Sequence, residues 1–217
     1  MKHIADSHRH MSGPHSKIIA AAAKAELAPL GFKRRGQSRL WLKDHGFWLN
    51  VVEFKPSQWS IAVDLGNAAH WLWGGCGFMS LNYYDPGGPY TEYRDEDQFG
   101  AAVADIASTA ASRTKEVDGK FASFGAIADY VIAKANGSER MRPSWFGYYA
   151  GVACGILGDL DQAASFLRGI TDERVIPRAE RFLPAIESPI AFREKANEIV
   201  DQQRAALKLP ALTRGPF

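Results

Sequence analysis

The chain has 217 residues, 46% of them hydrophobic and 12% aromatic, enough apolar matter for a core in one domain or two small ones. Its 26 basic and 24 acidic side chains nearly cancel, so no whole-molecule field gathers nucleic acid or an anionic membrane, and such binding would need a local patch. Cys76 and Cys154 lie far apart in sequence among small apolar residues, so neither a metal spacing nor a disulfide framework is suggested and they are read as reduced and buried; no apolar run is long enough to span a membrane.

Residues 1–15 read as a polar leader carrying His3, His8, His10 and His15. The fragment Asp6-Ser7-His8-Arg9-His10 superficially resembles the paired histidines of some metal-dependent hydrolases, because two imidazoles one residue apart can reach one metal from a strand. Nothing apolar precedes them to build that strand. A disordered leader, or initiation at Met11, is the favoured reading, and no metal or cofactor is expected. The Ile18 to Ala23 stretch is too short for an export signal and is interrupted by Lys24, so a cytoplasmic protein is expected.

Ser16 is placed to N-cap a helix in which Ile19, Ala22, Ala23, Leu27 and Leu30 recur at helical spacing. Gly31 is the stop, since a left-handed residue after a helix costs least without a Cβ, and Phe32 can fold back on the helix end. The pattern then changes to period two. Leu40 and Leu42 alternate with Arg39, Trp41 and Lys43; Asp44-His45-Gly46 reverses a hairpin; and Phe47 to Phe54 is apolar on nearly both faces. Lys55-Pro56-Ser57-Gln58 breaks that strand, after which Trp59, Ile61, Val63 and Leu65 form an apolar face opposite Ser60, Ala62 and Asp64. Residues 67–94 are dense in Gly, Pro and aromatics and read as loops around one further short strand near Phe78 to Tyr83.

From Asp95 the period is helical again. Asp95 with Gln98 resembles a capping box, and Phe99, Ala102, Val103, Ile106 and Ala110 line one stripe. A second helix uses Phe121, Phe124, Ile127, Ala128, Val131 and Ile132 and ends at Asn136-Gly137. One of the two is expected on one face of the sheet, with the other face wet. Pro143 to Ile170 reads as a helical hairpin turned at Gly158-Asp159, with small Gly151 and Ala163 allowing close approach and Tyr149, Ile156, Leu160, Phe166 and Leu167 in the seam. The run Leu157 to Ala164 resembles the turn and second helix of a single tetratricopeptide repeat, with Gly151 at the small first-helix position. One copy implies a buttress rather than a peptide groove. Ser188-Pro189 opens a last helix to about Leu207, and residues 210–217 read as a frayed tail.

Leu30-Gly31-Phe32-Lys33-Arg34-Arg35-Gly36, then Phe47 to Phe54, then Ser57 to Gly66, resemble the bacterial family catalogued as domain of unknown function 4304. Its pattern is a helix, a Gly-Phe-Lys element, a hairpin ending in Gln-Lys-Ser and a strand ending Asn-x-Gly. Here the Gln-Lys-Ser segment stands as Lys55-Pro56-Ser57, and the strand-end asparagine as Asp64. The resemblance covers roughly the N-terminal half. It implies a fold and no activity.

The fold class expected is therefore α+β: an antiparallel sheet of three to five strands with helices on one face over residues 16–136, followed by an all-helical subdomain over 137–209. Trp71, Trp73, Tyr83, Tyr84, Tyr90 and Tyr93, with Asp64 at the strand end, form the candidate binding surface, because such rings give large contact area at small entropy cost; equally, they serve as core plugging the sheet's end. Lys33, Arg34, Arg35 and Arg39, interleaved with Phe32 and Trp41, offer a stacking-capable basic patch for nucleic acid, weighed against a solvated turn that discourages edge pairing; the turn is favoured because no matching basic stripe exists elsewhere. Gly74 to Gly77 lacks the lysine of a phosphate loop and reads as a flexible turn. Asp64, Glu53, Asp85 and His70 are the groups from which a base and its orienter would be drawn. The expectation is a non-catalytic module whose partner is another protein, with no membrane; an uncharacterised hydrolase using the 64–93 region, and a nucleic-acid binder using Lys33 to Arg39, are the alternatives.

Overall fold

The computed structural model describes residues 14–57, 60–85 and 87–217. The histidine pair His8 and His10, with His3 and Met11, and Trp59 at the start of the expected third strand, lie outside the described residues. The chain divides into two compact units. A sheet unit holds the described residues up to His45, with Leu49–Ala69 and Leu81–Asp118; a helical unit holds Gly46–Trp48, His70–Ser80 and Gly119–Phe217. The division thus falls at Asp118, ahead of the helix that the sequence groups with the sheet.

In the sheet unit, helix α1 (Pro14–Leu27) is already helical at Pro14, so Ser16 is not its cap but a buried residue inside its first turn. Ile19, Ala23 and Leu27, four apart, form its buried stripe. A 3-10 turn, Ala28–Leu30, then ends at Gly31 with φ 88°, and the Phe32 amide donates to the Leu27 carbonyl at 3.2 Å. This is the stop expected of a residue without a Cβ.

The sheet is antiparallel. Its strands are β1 (Lys33–Arg34), β2 (Leu40–Asp44), β3 (Trp48–Pro56), β4 (Ala62–Trp71), β5 (Tyr83–Asp85) and β6 (Tyr90–Glu92), in the order β1-β2-β3-β4-β5 with β6 also paired to β4. Leu40 faces Glu53, Trp41 faces Val52 and Leu42 faces Val51 across the hairpin turned at Gly46, whose φ is 87°. The buried side of β2 is therefore that of Trp41, at 5% exposure, while Leu40 and Leu42 point to the opposite face and are half-buried. Val63 and Leu65 are buried as expected, but Ile61 precedes β4 and is 52% exposed. No strand covers Phe78, which is exposed; β4 instead continues through Asn67 to Trp71, and the short strands come later, at β5 and β6.

Helix α2 (Glu96–Lys120) begins at Asp95, whose carboxylate accepts from the Gln98 amide at 2.8 Å, while the Gln98 side chain accepts from the Arg94 amide. Phe99, Val103, Ile106, Ala107 and Ala110 of α2, with Ile19, Ala23 and Leu27 of α1, meet Phe32, Trp41, Val52, Phe54, Val63 and Leu65 in one core. Both helices thus serve the same face of the sheet.

The helical unit is built on α3 (Phe124–Asn136), α4 (Trp145–Leu157), α5 (Leu160–Arg168), α6 (Ile176–Glu180) and α7 (Pro189–Ala206). Central α4 packs on α3, α5 and α7, and two of its glycines admit the close approach of α5 and α7. A Cβ on Gly151 would lie 2.8 Å from Leu167, and one on Gly155 would lie 2.3 Å from the Phe192 ring. The α4–α5 turn is the one expected: Gly158 has φ 96°, and Asp159 caps α5 by accepting from the Gln162 amide. Ser188 caps α7 by accepting from the Ala191 amide. The tail is not frayed. Asn197 brackets Phe217 by donating to its carbonyl and accepting from its amide, and the Phe217 ring lies 4.9 Å from Phe124 and 5.9 Å from Phe47.

Candidate functional site

Period two divides the sheet unit's strands between two environments. Val52, Phe54, Val63 and Leu65 turn toward α1 and α2. The alternate residues form a second face, which is apolar and buried at Leu49, Val51 and Ala68 and becomes polar and accessible at Glu53, Lys55, Asp64 and Tyr84. The sheet is therefore wet over only part of that face.

In this polar part the side chains are mutually arranged. Tyr84 is carried onto the face by its pairing with Ala68, and Tyr90 by its pairing with Asp64. The Lys55 ammonium donates to the Tyr84 hydroxyl and lies 4.2 Å from the ring centroid. Gly66 leaves room for that pair, since a Cβ there would lie 3.0 Å from Lys55 Cε and 3.1 Å from Tyr84. Burial raises the Glu53 carboxyl above its ordinary range; Lys55 opposes this and Asp64 adds to it. At the exposed rim the Tyr90 hydroxyl donates to Glu92 at 2.7 Å, with Ser60 3.3 Å from the Tyr90 hydroxyl and 3.4 Å from the Glu92 carboxylate.

Of the residues proposed from sequence for binding, this surface gathers Asp64, Tyr84 and Tyr90. Tyr83 and Asp85 alternate to the opposite face, where Asp85 pairs with Arg113 of α2 at 3.4 Å. Burial, then Asp85 and Glu116, raise the Tyr83 phenol. Tyr93 is half-buried against Phe99, with ring centroids 5.2 Å apart. Trp71 and Trp73 are not a surface at all. Both have 0% exposure in the helical unit, where Trp71 packs on Phe121 at 5.0 Å and Trp73 on Tyr149 at 5.7 Å, so they are core.

His70 is likewise fully buried, in the helical unit. Its Nδ1 lies 2.7 Å from the Ser80 carbonyl and its Nε2 lies 3.1 Å from Gln203 Nε2. Gln203 also accepts from the Gly77 amide at 2.7 Å and donates to the Phe78 carbonyl at 2.9 Å. With the Tyr148 hydroxyl donating to the Gly74 carbonyl, these bonds fasten the glycine-rich run that the sequence reads as a flexible turn.

The basic residues do not form one patch. Lys33 and Arg35 are exposed, whereas Arg34 is tied to its own turn, its Nε donating to the Ser38 carbonyl at 2.7 Å and its Nη2 to the Gln37 carbonyl at 2.8 Å. Arg39 is half-buried, its Nε and Nη1 have no hydrogen-bond partner among the described residues, and burial followed by the charge of Arg34 lowers its pKa. Lys33 and Arg34 do line a hollow of about 500 Å³ beside α1, floored by Phe32 and Trp41.

One polar centre was not legible in the sequence. Asp118, in the last turn of α2, accepts from Lys43 at 2.7 Å, His45 at 2.9 Å and Asn50 at 2.8 Å. Burial opposes its ionisation, but these hydrogen bonds outweigh that and hold the carboxyl down at about 2. Among the described residues no group of three or more His, Cys, Asp or Glu side chains is placed to share a metal ion, and no helix is long and apolar enough to cross a membrane. No protein-family model matches the chain, and comparisons with curated proteins and with solved structures gave no match.

Proposed function

We propose that this chain is a non-catalytic recognition module that binds another protein through the polar part of the second sheet face, centred on Asp64, Tyr84 and Tyr90. The observation that supports this is the juxtaposition of a 54% exposed Tyr90, a half-buried Tyr84 and an uneven set of charges, Glu53, Asp64 and Glu92 against Lys55, on paired strands. Tyrosines contribute area while losing little side-chain freedom, and strands hold them in a fixed array, so a partner meets a preorganised surface. Kinship with the domain of unknown function 4304 family belongs to the same reading; it rests on the helix, the Gly31 stop and the ribbon β2 to β4, and brings no activity with it.

The test is quantitative affinity capture from extracts of the native host with three immobilised full-length proteins: wild type, Asp64→Arg/Tyr90→Ala, and a Glu139→Ala control on an exposed residue of the helical unit. Proteins retained by wild type and the control but lost with the double variant are expected. A captured set indifferent to the double substitution would refute this assignment.

A further inference from the structure

We infer that residues 74–80 form an acid-released latch, in which protonation of His70 breaks its bond to Gln203 and frees the segment. The device lies within the helical unit and does not depend on Asp64, Tyr84 or Tyr90.

The bonds around Gln203 fix where the imidazole proton sits. Gln203 Oε1 accepts from the Gly77 amide at 2.7 Å, which leaves Nε2 as the donor end, and Nε2 donates to the Phe78 carbonyl at 2.9 Å. The same Nε2 lies 3.1 Å from His70 Nε2, which therefore accepts. On the other side of the ring, Nδ1 lies 2.7 Å from the Ser80 carbonyl, a contact that an N–H makes and a bare nitrogen does not; the Ser80 hydroxyl and amide are farther from it, at 3.2 and 3.3 Å. His70 is thus the neutral Nδ1–H tautomer, with both nitrogens engaged at 0% exposure.

A second proton can go only to Nε2, where it sets two N–H donors against each other at 3.1 Å. Gln203 cannot turn over to meet it without giving up both Gly77 and Phe78. The titratable and charged groups about the latch in this unit are Cys76 in the segment itself, Tyr148 and Tyr149 on α4, Arg181 just after α6, and Arg204 next to Gln203 on α7. In acid the first three are neutral and the arginines are cations, so none of these offers an imidazolium a counter-charge. The closed form refuses the proton and an opened, solvated imidazole accepts it. The latch is therefore fully held above about pH 6.5 and weakens as the pH falls below that. Opening uncovers Cys76, 8% exposed in the closed form, and the Tyr148 and Tyr149 side chains that contact Gly74.

Nuclear magnetic resonance and hydrogen exchange on the full chain test the latch. Long-range proton–nitrogen correlation at about pH 7.5 is expected to show His70 with Nδ1 protonated and Nε2 bare. Protection of the amides at 74–80, corrected for the intrinsic pH dependence of exchange, is expected to fall about 30-fold from about pH 7.5 to about pH 5, the change produced when only the open form binds a proton at about 6.5. Amides 150–154, in the buried middle of α4, are expected to keep theirs. Gln203→Glu supplies a carboxylate that can accept from both the Gly77 amide and an imidazolium, so its protection at 74–80 is expected to change by less than about 3-fold over the same range. An Nε2–H tautomer or an imidazolium at about pH 7.5 overturns the latch. So does protection at 74–80 that is unchanged in acid or falls only together with that at 150–154, or an undiminished acid loss in a folded Gln203→Glu protein. Where that variant does not fold, the tautomer and the wild-type exchange ratio decide.

Discussion

His45 Nε2 donates to Asp118 Oδ1 at 2.9 Å, joining the β2–β3 turn to the last turn of the helix that covers the sheet. A carboxylate near a helix C-terminus is opposed by the helix dipole, so the three donors around Asp118 are what make it tolerable there.

The sign of the pH dependence follows from the depressed carboxyl. Asp118 ionises at about 2 in the folded chain against 3.8 ordinarily, so its contribution is complete above about pH 4 and is lost as the pH falls toward 2. With 23% of its side chain exposed, and solvent screening discounted, Asp118→Asn is expected to cost about 1–2 kcal/mol at pH 7. Thermal unfolding followed between pH 7 and pH 2.5 checks it: the gap between wild type and variant should narrow as the acid is approached.

Gly155 sits where a Cβ would come within 2.3 Å of the Phe192 ring. Gly155→Ala is expected to destabilise the protein by about 2–3 kcal/mol through overpacking, despite the better helix propensity of alanine. In Phe192→Leu the same substitution should cost clearly less. Denaturant midpoints of the four proteins in this double-mutant cycle measure the coupling.

Gln203 is 1% exposed and joins the Gly77 amide, the Phe78 carbonyl and His70. Gln203→Leu strands backbone groups with no substitute partner, so a loss of about 2–3 kcal/mol is expected. Hydrogen exchange should speed up selectively at residues 74–80.

Burial, followed by the charge of Asp159, pushes the Cys154 thiol up to about 11, and its sulfur lies 3.0 Å from Gln162 Oε1. A thiol held protonated is a poor nucleophile. Mass spectrometry after treatment with a thiol-disulfide reagent at pH 8 should find Cys154 unmodified in the native protein and modified in guanidinium.

Punctuation in the sequence was the most legible part of the fold. Gly31, Gly46, Gly158 and Ser188 stop, turn or cap where their local chemistry requires it, because those constraints act within a few residues. Facing was harder. In Arg39-Leu40-Trp41-Leu42-Lys43 both alternations carry apolar bulk, so only the pairing of Trp41 with Val52 decides which side is buried. Gly66 and Asn67 read as a strand end, although the strand runs on to Trp71, and the two tryptophans beyond them therefore look like loop. The Asp118 centre was out of reach for another reason: its partners lie 68 to 75 positions away, and only the fold brings them together.

Strands β3 and β4 each begin in one compact unit and finish in the other, so the helical unit owns Trp48, Trp71 and Trp73 although they are encoded far upstream of its helices. A truncated product starting at Gly119 would present Phe121, Phe124 and Tyr149 without the indoles that pack on them. A cut at Gly119 therefore does not release the helical unit whole, because two of its segments lie upstream of that point.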